Sequence, residues 1–258
     1  MYPFARPERK RFRFIGCEIA FREVCLLAAN SLHIVDLEFL TKGLHDCDRD
    51  EMRTRLQAAI DAVDPQRYEA ILLGYARCSD GVVGLQAPSI PMVIPRAHDC
   101  ITFFLGSKEA YRRYFDTHPG TYFRTSGWIE REFARETKGI MAKLGLDKSY
   151  EEYVREYGRE NADFIWQSLA SWQENYDRLV YIDTGVAVEL RYDERVRTEA
   201  ARRNWNYERL DGNLVLLKRL LDGDWPDADF VVVRPGHRLI SRDDERILDA
   251  APPDAILP

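Results

Sequence analysis

Three of the five cysteines stand where β-rich runs give way to loops: Cys17 in FIGCE, Cys78 in GYARCSDG and Cys100 in PRAHDC. His98 precedes Cys100 in the same loop, and His45 follows another such run in GLHDCD. Open α/β sheets bind their ligands at the carboxyl ends of strands. Thiolate and imidazole together are the ligand set of zinc or of an iron–sulfur cluster. A metal site assembled from several strand ends is therefore expected, with Cys17, Cys78, Cys100, His98 and His45 as candidate ligands. No two of these cysteines form a CxxC pair. Three dispersed thiolates suit either a cluster with one open iron or a zinc ion completed by histidine.

The neighbours of each thiol extend this reading. Cys17 lies immediately before a helical run, where the helix dipole is expected to favour thiolate; burial as a small apolar residue is the alternative. Cys78 precedes a loop with Gly81 and Gly84, whose lack of a Cβ allows backbone to approach a ligand. Asp99 could orient a metal-binding imidazole, although His98 could equally cap the helix that begins at ITFFLG. Asp99 and Glu18 are the candidates for moving protons, on position alone. Arg96 could hold a carboxylate or phosphate through its guanidinium fork. Tyr122, Arg124 and Trp128 in HPGTYFRTSGW could roof a cleft over a flat or anionic ligand, or simply pack between helices. Cys25 lies between Val24 and Leu26 and reads as core. Cys47, among acids, reads as a solvated loop residue, and His33, His118 and His237 read as structural.

The elements that must position these residues alternate. Runs at 12–17, 33–40, 68–74 and 91–95 read as strands, with helical patterns over 18–30 and 50–63. Residues 107–176 are aromatic-rich and helical, with the Pro- and Gly-containing stretch His118–Trp128 as a loop between helices. Strands at 178–183, 205–210 and 229–236 then alternate with helices over 186–204 and 213–225. The fold class expected is α/β, with two Rossmann-like, parallel-sheet lobes joined by a helical insert. The expected boundaries are a basic tail at 1–11, an N-terminal α/β lobe at 12–106, the insert at 107–176 and a C-terminal α/β lobe at 177–258. Facing strand edges of the two lobes would form a cleft.

Composition removes several function classes. The 258 residues are 45% hydrophobic, enough for a core, and carry a net charge of −6 with no dense basic patch, so nucleic acid is not an expected partner. The basic start MYPFARPERKRFR has no apolar region of the secretory kind, and no run of about 18 apolar residues could span a membrane. An odd cysteine count without an exported context points to a reducing cytoplasm and against disulfides. GxSxG, Walker, GxGxxG and HExxH motifs are all absent.

The segments GLHD, YARCSDGVVGL, PRAHDCITFFLGSKEAY with HPGTYFRTSGWIE, and GNLVLLKRLLDGDW resemble a bacterial and archaeal family of unknown function over most of the chain. Members of that family tend to accompany corrinoid-dependent methyltransferase systems. The resemblance thus implies one-carbon metabolism of methylated amines or related compounds, with a corrinoid protein as partner and source of the corrinoid. The family's motif falls on Cys17, His45, Cys78, His98, Asp99 and Cys100, leaving Cys25 and Cys47 outside it. The expected function is a zinc or iron–sulfur enzyme acting on a small molecule and assisting methyl transfer. A non-catalytic accessory or metal-binding partner, and a metal-free enzyme in which His98 activates a cysteine nucleophile, are the alternatives.

Overall fold

The computed structural model describes residues 8–78, 80–131, 150–174 and 176–255. Most of the expected basic tail (1–7) and the middle of the expected helical insert (132–149) lie outside the described residues.

The fold is α/β, with two Rossmann-like sheets of parallel strands. The first sheet contains β1 (Arg11–Cys17), β2 (Ile34–Leu40), β3 (Ala70–Gly74) and β4 (Met92–Pro95), in the order β2-β1-β3-β4. These four strands are parallel. Every residue of β3 (AILLG) and β4 (MVIP) is buried, as expected of central strands covered on both faces. The crossovers are α1 (Phe21–Asn30) and α2 (Arg49–Asp61). Asp48 caps α2 by accepting the Glu51 amide at 2.9 Å, and Met52, Leu56 and Ile60 form its buried stripe.

Beyond β4 come α3 (Ile101–Leu105) and α4 (Lys108–Thr117), then β5 (Thr121–Arg124) and α5 (Ser126–Glu130). Two helices, α6 (Tyr150–Tyr157) and α7 (Arg159–Glu174), lead to β6 (Arg178–Asp183), α8 (Tyr192–Arg203) and β7 (Asn206–Asp211). Strands β5, β6 and β7 form the second parallel sheet in that order. After α9 (Val215–Leu221), β8 (Phe230–Val233) returns to the first sheet and pairs antiparallel with β4. A hairpin of β9 (Arg238–Ser241) and β10 (Leu248–Ala251) closes the described chain.

Strand pairing crosses the boundaries expected from sequence. TYFR, read as part of an interhelical loop, is β5. Pro119 and Gly120 turn the chain ahead of it, and the Gly120 carbonyl accepts the Asp177 and Arg178 amides beside β6. Phe230–Val233, expected in the second lobe, belongs to the first sheet. The helix expected over 186–204 is broken, because Arg191 adopts φ +51° between a 3₁₀ turn at Val188–Leu190 and α8.

The larger core covers the first sheet and draws in Val180 and Ile182 of β6. A small second core consists of Ile129, Leu179, Tyr181, Val196 and Ala200. The two halves are held face to face by polar bonds as well. Glu23 of α1 accepts hydrogen bonds from Ser126 (3.1 Å) and Thr184 (2.7 Å). Gly127 presses against the 3₁₀ turn that follows β1, so that a Cβ there would stand 1.6 Å from the Ile19 carbonyl oxygen. Only glycine permits that approach.

Candidate functional site

Cys17 ends β1, while Cys78 and Cys100 lie in the loops beyond β3 and β4. The strand order makes these three strands neighbours. Backbone pairing continues past the ends of β3 and β4: Arg77 N–H bonds to the Ala97 carbonyl at 2.9 Å, and Cys78 N–H to the His98 carbonyl at 3.1 Å. The two loops therefore travel together and bring Cys78 beside Cys100. Cys78 pays a conformational cost for this placement, with φ +36°. A left-handed residue other than glycine is strained by about 1–3 kcal/mol, and such positions cluster at functional sites.

His45, Cys78, His98, Asp99, Cys100 and Tyr122 line a single cavity of about 340 Å³, joined there by Trp128 and Tyr176. Cys17 sits behind it, 3% exposed, with its Sγ 3.4 Å from His45 Nε2. The Trp128 ring lies 5.5 Å from the His45 ring. A larger groove of about 950 Å³, lined by Gln57 and Pro235, contains none of these side chains.

The thiols are held neutral. Burial pushes Cys17 up to about 12, against the Ile19 amide, which favours thiolate. Burial likewise raises Cys78 to about 12, opposed by the Ala76 and Cys100 amides. Cys100 is raised well above the usual thiol range by burial and then by Cys78, Asp99 and Cys17, with the Trp128 indole working the other way. The expected depression of Cys17 by a helix dipole is thus overturned. Only a three-residue 3₁₀ turn follows it, and loss of water outweighs so small a dipole. The three thiols nonetheless feel one another, and amide N–H groups point at two of them.

One buried donor near this cluster lacks a partner: the Tyr75 hydroxyl makes no hydrogen bond. Tyr75 is 1% exposed, and its hydroxyl is raised well above its usual range by burial and then by Cys17 and Cys78. Orphan donors in a core are rare and call for an explanation. As the side chains stand, no three His, Cys, Asp or Glu among the described residues form a group that could hold a metal ion.

The other expected site residues are placed as follows. His98 is at the exposed rim; loss of solvent, then the Arg77 guanidinium, lowers its imidazole pKa. Asp99 is occupied locally, accepting the Ile101 amide at 2.9 Å and the Tyr111 hydroxyl at 2.7 Å, and burial raises its carboxyl. Glu18 lies outside the cavity lining, one oxygen on the Lys42 amide and the other on Arg131, each at 2.8 Å. Arg96, expected to bind substrate, is 2% exposed and turns away. It holds the Asp227 carbonyl at 2.7 Å, the Asp227 carboxylate at 3.0 Å, and the carbonyls of Arg246 and Leu248. Arg124 pairs with Glu199 at 2.8 Å and lies over the Tyr122 ring, so only Tyr122 of that pair reaches the cavity. The cavity has no arginine in its lining.

Tyr75 and Tyr176 escaped the sequence reading. Tyr75 could have been found from its place between AILLG and Cys78, whereas nothing local marks Tyr176.

The chain belongs to the family described as proteins of unknown function, DUF1638, whose model matches residues 39–221. No curated protein and no solved structure matches the chain.

Proposed function

We propose that this DUF1638 protein is a metal-dependent enzyme whose reactive centre is built on Cys17, Cys78 and Cys100, with His45 as neighbour or additional ligand. The observation that carries the reading is convergence: Cys78 and Cys100 line one cavity and Cys17 touches His45 in its wall, three thiols from three adjacent strand ends, with a buried Tyr75 hydroxyl that has no acceptor. A bound soft cation would displace the thiol protons and leave thiolates as hydrogen-bond acceptors. Closure on such a cation needs the side chains to rotate from the positions described. Zinc or an iron–sulfur centre would supply Lewis acidity, or a thiolate prepared to accept a methyl group. Tyr122, Trp128 and Tyr176 would enclose a small substrate above it.

Methyl transfer in one-carbon metabolism and a corrinoid-protein partner are part of this proposal, and they rest on the family resemblance alone. Elemental analysis of anaerobically purified protein, with and without Cys78→Ser, tests the centre. Stoichiometric metal that falls at least tenfold in the variant, with unchanged far-ultraviolet circular dichroism, is the expected result. Metal-free wild-type protein that also fails to take up zinc or iron would overturn it.

One contact favours a second reading. The Cys17 Sγ to His45 Nε2 distance of 3.4 Å would suit a metal-free nucleophile and its base, with His45 replacing His98 in that role. Burial opposes it, since a thiol raised to about 12 is a poor nucleophile. Stoichiometric alkylation of Cys17 by iodoacetamide in folded, metal-free protein would favour this reading over the first.

A further inference from the structure

A second cavity, of about 550 Å³, lies between α4 and the turn that joins β9 to β10. His98 lines both this cavity and that of the cysteines. At the same wall the Tyr111 hydroxyl, from the second cavity, donates to Asp99 of the first at 2.7 Å. Small-molecule sites occupy about 300–1,000 Å³. We propose that this second cavity binds a planar aromatic anion, a ring carrying a carboxylate or a phosphate, next to the cysteine-lined cavity. Such a site needs neither metal nor thiolate.

The lining offers a ring an apolar wall. On α4, Lys108, Tyr111, Arg112 and Phe115 follow the i, i+3, i+4, i+7 spacing of one helix face. The Tyr111 and Phe115 rings stack, with centroids 5.7 Å apart and planes 16° from parallel. Phe115 is nonetheless exposed, so it still presents apolar surface to a ligand. Ile247 lines the cavity from the turn, with its backbone at φ +65°. That conformation is strained for a β-branched residue, and such strain gathers at functional sites. The turn enforces it, the Ile247 N–H bonding the Asp244 carbonyl at 3.0 Å and the Arg242 N–H the Ile247 carbonyl at 2.9 Å.

The same helix face is positive. Lys108 Nζ donates to the carbonyls of Ala228 and Glu245 at 2.9 and 3.0 Å. Two neutral oxygens thus fix the ammonium, leaving its charge uncompensated and its third N–H for a ligand. Arg112 meets Glu245 at 2.9 Å, and both partners are exposed. Exposed pairs are weak, so Arg112 can exchange that partner for a ligand oxygen. Glu109, Arg113 and Asp116 also line the cavity, from the adjacent flank of α4, and there the signs are mixed. An anionic group on Lys108 and Arg112, with its ring against Tyr111 and Phe115, uses the whole face. A neutral ring would leave the ammonium uncompensated, and an aliphatic anion would leave the aromatic wall wet.

The test is isothermal titration of the full chain, without added metal, with 2-naphthoate and with adenosine monophosphate. Binding at about one ligand per chain is expected for at least one of them, and the tighter of the two identifies the charged group as carboxylate or phosphate. The neutral counterparts, 2-naphthamide and adenosine, should bind about tenfold more weakly, and inorganic phosphate should bind more weakly than the aromatic anion. Lys108→Met should weaken the anion about tenfold and leave its neutral counterpart unchanged. Phe115→Ala should weaken both about fivefold. Arg53→Ala, in the groove of about 950 Å³, should bind as the wild type does. Circular dichroism checks that each variant keeps the fold. Equal binding of the neutral counterparts, equally tight binding of inorganic phosphate, or titrations unmoved by Lys108→Met and Phe115→Ala would overturn the site. Binding of neither aromatic anion would overturn it too.

Discussion

At the residue scale, burial decides chemistry more than sequence neighbours do. Cys17 was expected to be activated by the helix beside it, but desolvation dominates a three-residue turn. Glu23 shows the same physics in a carboxyl group: it is 0% exposed, and its second oxygen has no partner. Burial raises its pKa, while Thr184 and Ser126 work to lower it. A carboxyl raised in the folded state contributes stability that is fully present below its unfolded pKa and lost as pH rises through the folded one. Glu23→Gln should therefore melt at a temperature that falls less than the wild type's between about pH 5 and about pH 8. Parallel losses in the two proteins would show that Glu23 ionises freely. Arg96 offers a second check. Its buried guanidinium ties β4 to the chain before and within β10, and hydrogen bonds to charged groups contribute about 1.5–3 kcal/mol each. Arg96→Met should lower stability to urea by about 2–3 kcal/mol without reducing metal content, which would separate this residue from the site.

Among elements, the loops after β3 and β4 act as one unit because their backbones stay paired past the strand ends. That pairing sets Cys78 next to Cys100 and explains why sequence separation was no guide to their proximity. The contact between the 3₁₀ turn after β1 and the start of α5 is equally close. Gly127→Ala would drive a Cβ into the Ile19 carbonyl, and overpacking of this kind costs about 1–3 kcal/mol. Trp128 follows directly and reaches the cavity, so the variant would also weaken binding of a metal held as proposed. Differential hydrogen exchange should show faster exchange in both Glu18–Ala20 and Ser126–Glu130. Unchanged exchange at Glu18–Ala20 would mean that the two elements are not coupled.

For the whole molecule, the two sheets are unequal. The first buries a large core that also takes in Val180 and Ile182 of β6, whereas the other face of the second sheet rests on the small cluster of Ile129, Leu179, Tyr181, Val196 and Ala200, and polar bonds join it to α1. Leu179→Ala should cost about 2–5 kcal/mol. Urea unfolding should then separate into an early transition for the second sheet and a later one for the first. A metal held as proposed would raise the later transition, because Cys17 ends β1 and Cys78 and Cys100 follow β3 and β4 of the first sheet. A single unshifted transition in the variant would show that the sheets fold as one cooperative unit.

Several features were legible in the sequence because they depend on local pattern. The strands β1, β2, β3, β4, β6, β7 and β8 follow from short apolar runs bounded by turn residues, and α1 and α2 from helical periodicity. The candidate ligands followed from residue type at strand ends, and four of them, His45, Cys78, His98 and Cys100, line a single cavity, with Cys17 in contact with His45. Other features were not legible. TYFR is too short to announce a strand, and it becomes one only through pairing with β6. Phe230–Val233 reads as a strand anywhere, and only the exposed edge of β4 determines which sheet receives it. Arg96 and Arg124 looked like ligand-binding cations, yet long side chains reach whichever acceptors the fold brings near, here Asp227 and Glu199. The sequence by itself determined the α/β class and the residue types of the site, since periodicity and strand-end position are local properties. Tertiary structure alone decided strand order, which charges were already neutralised and how deeply the thiols were buried. Those depend on contacts between residues far apart in the chain, and such contacts leave no mark on local pattern.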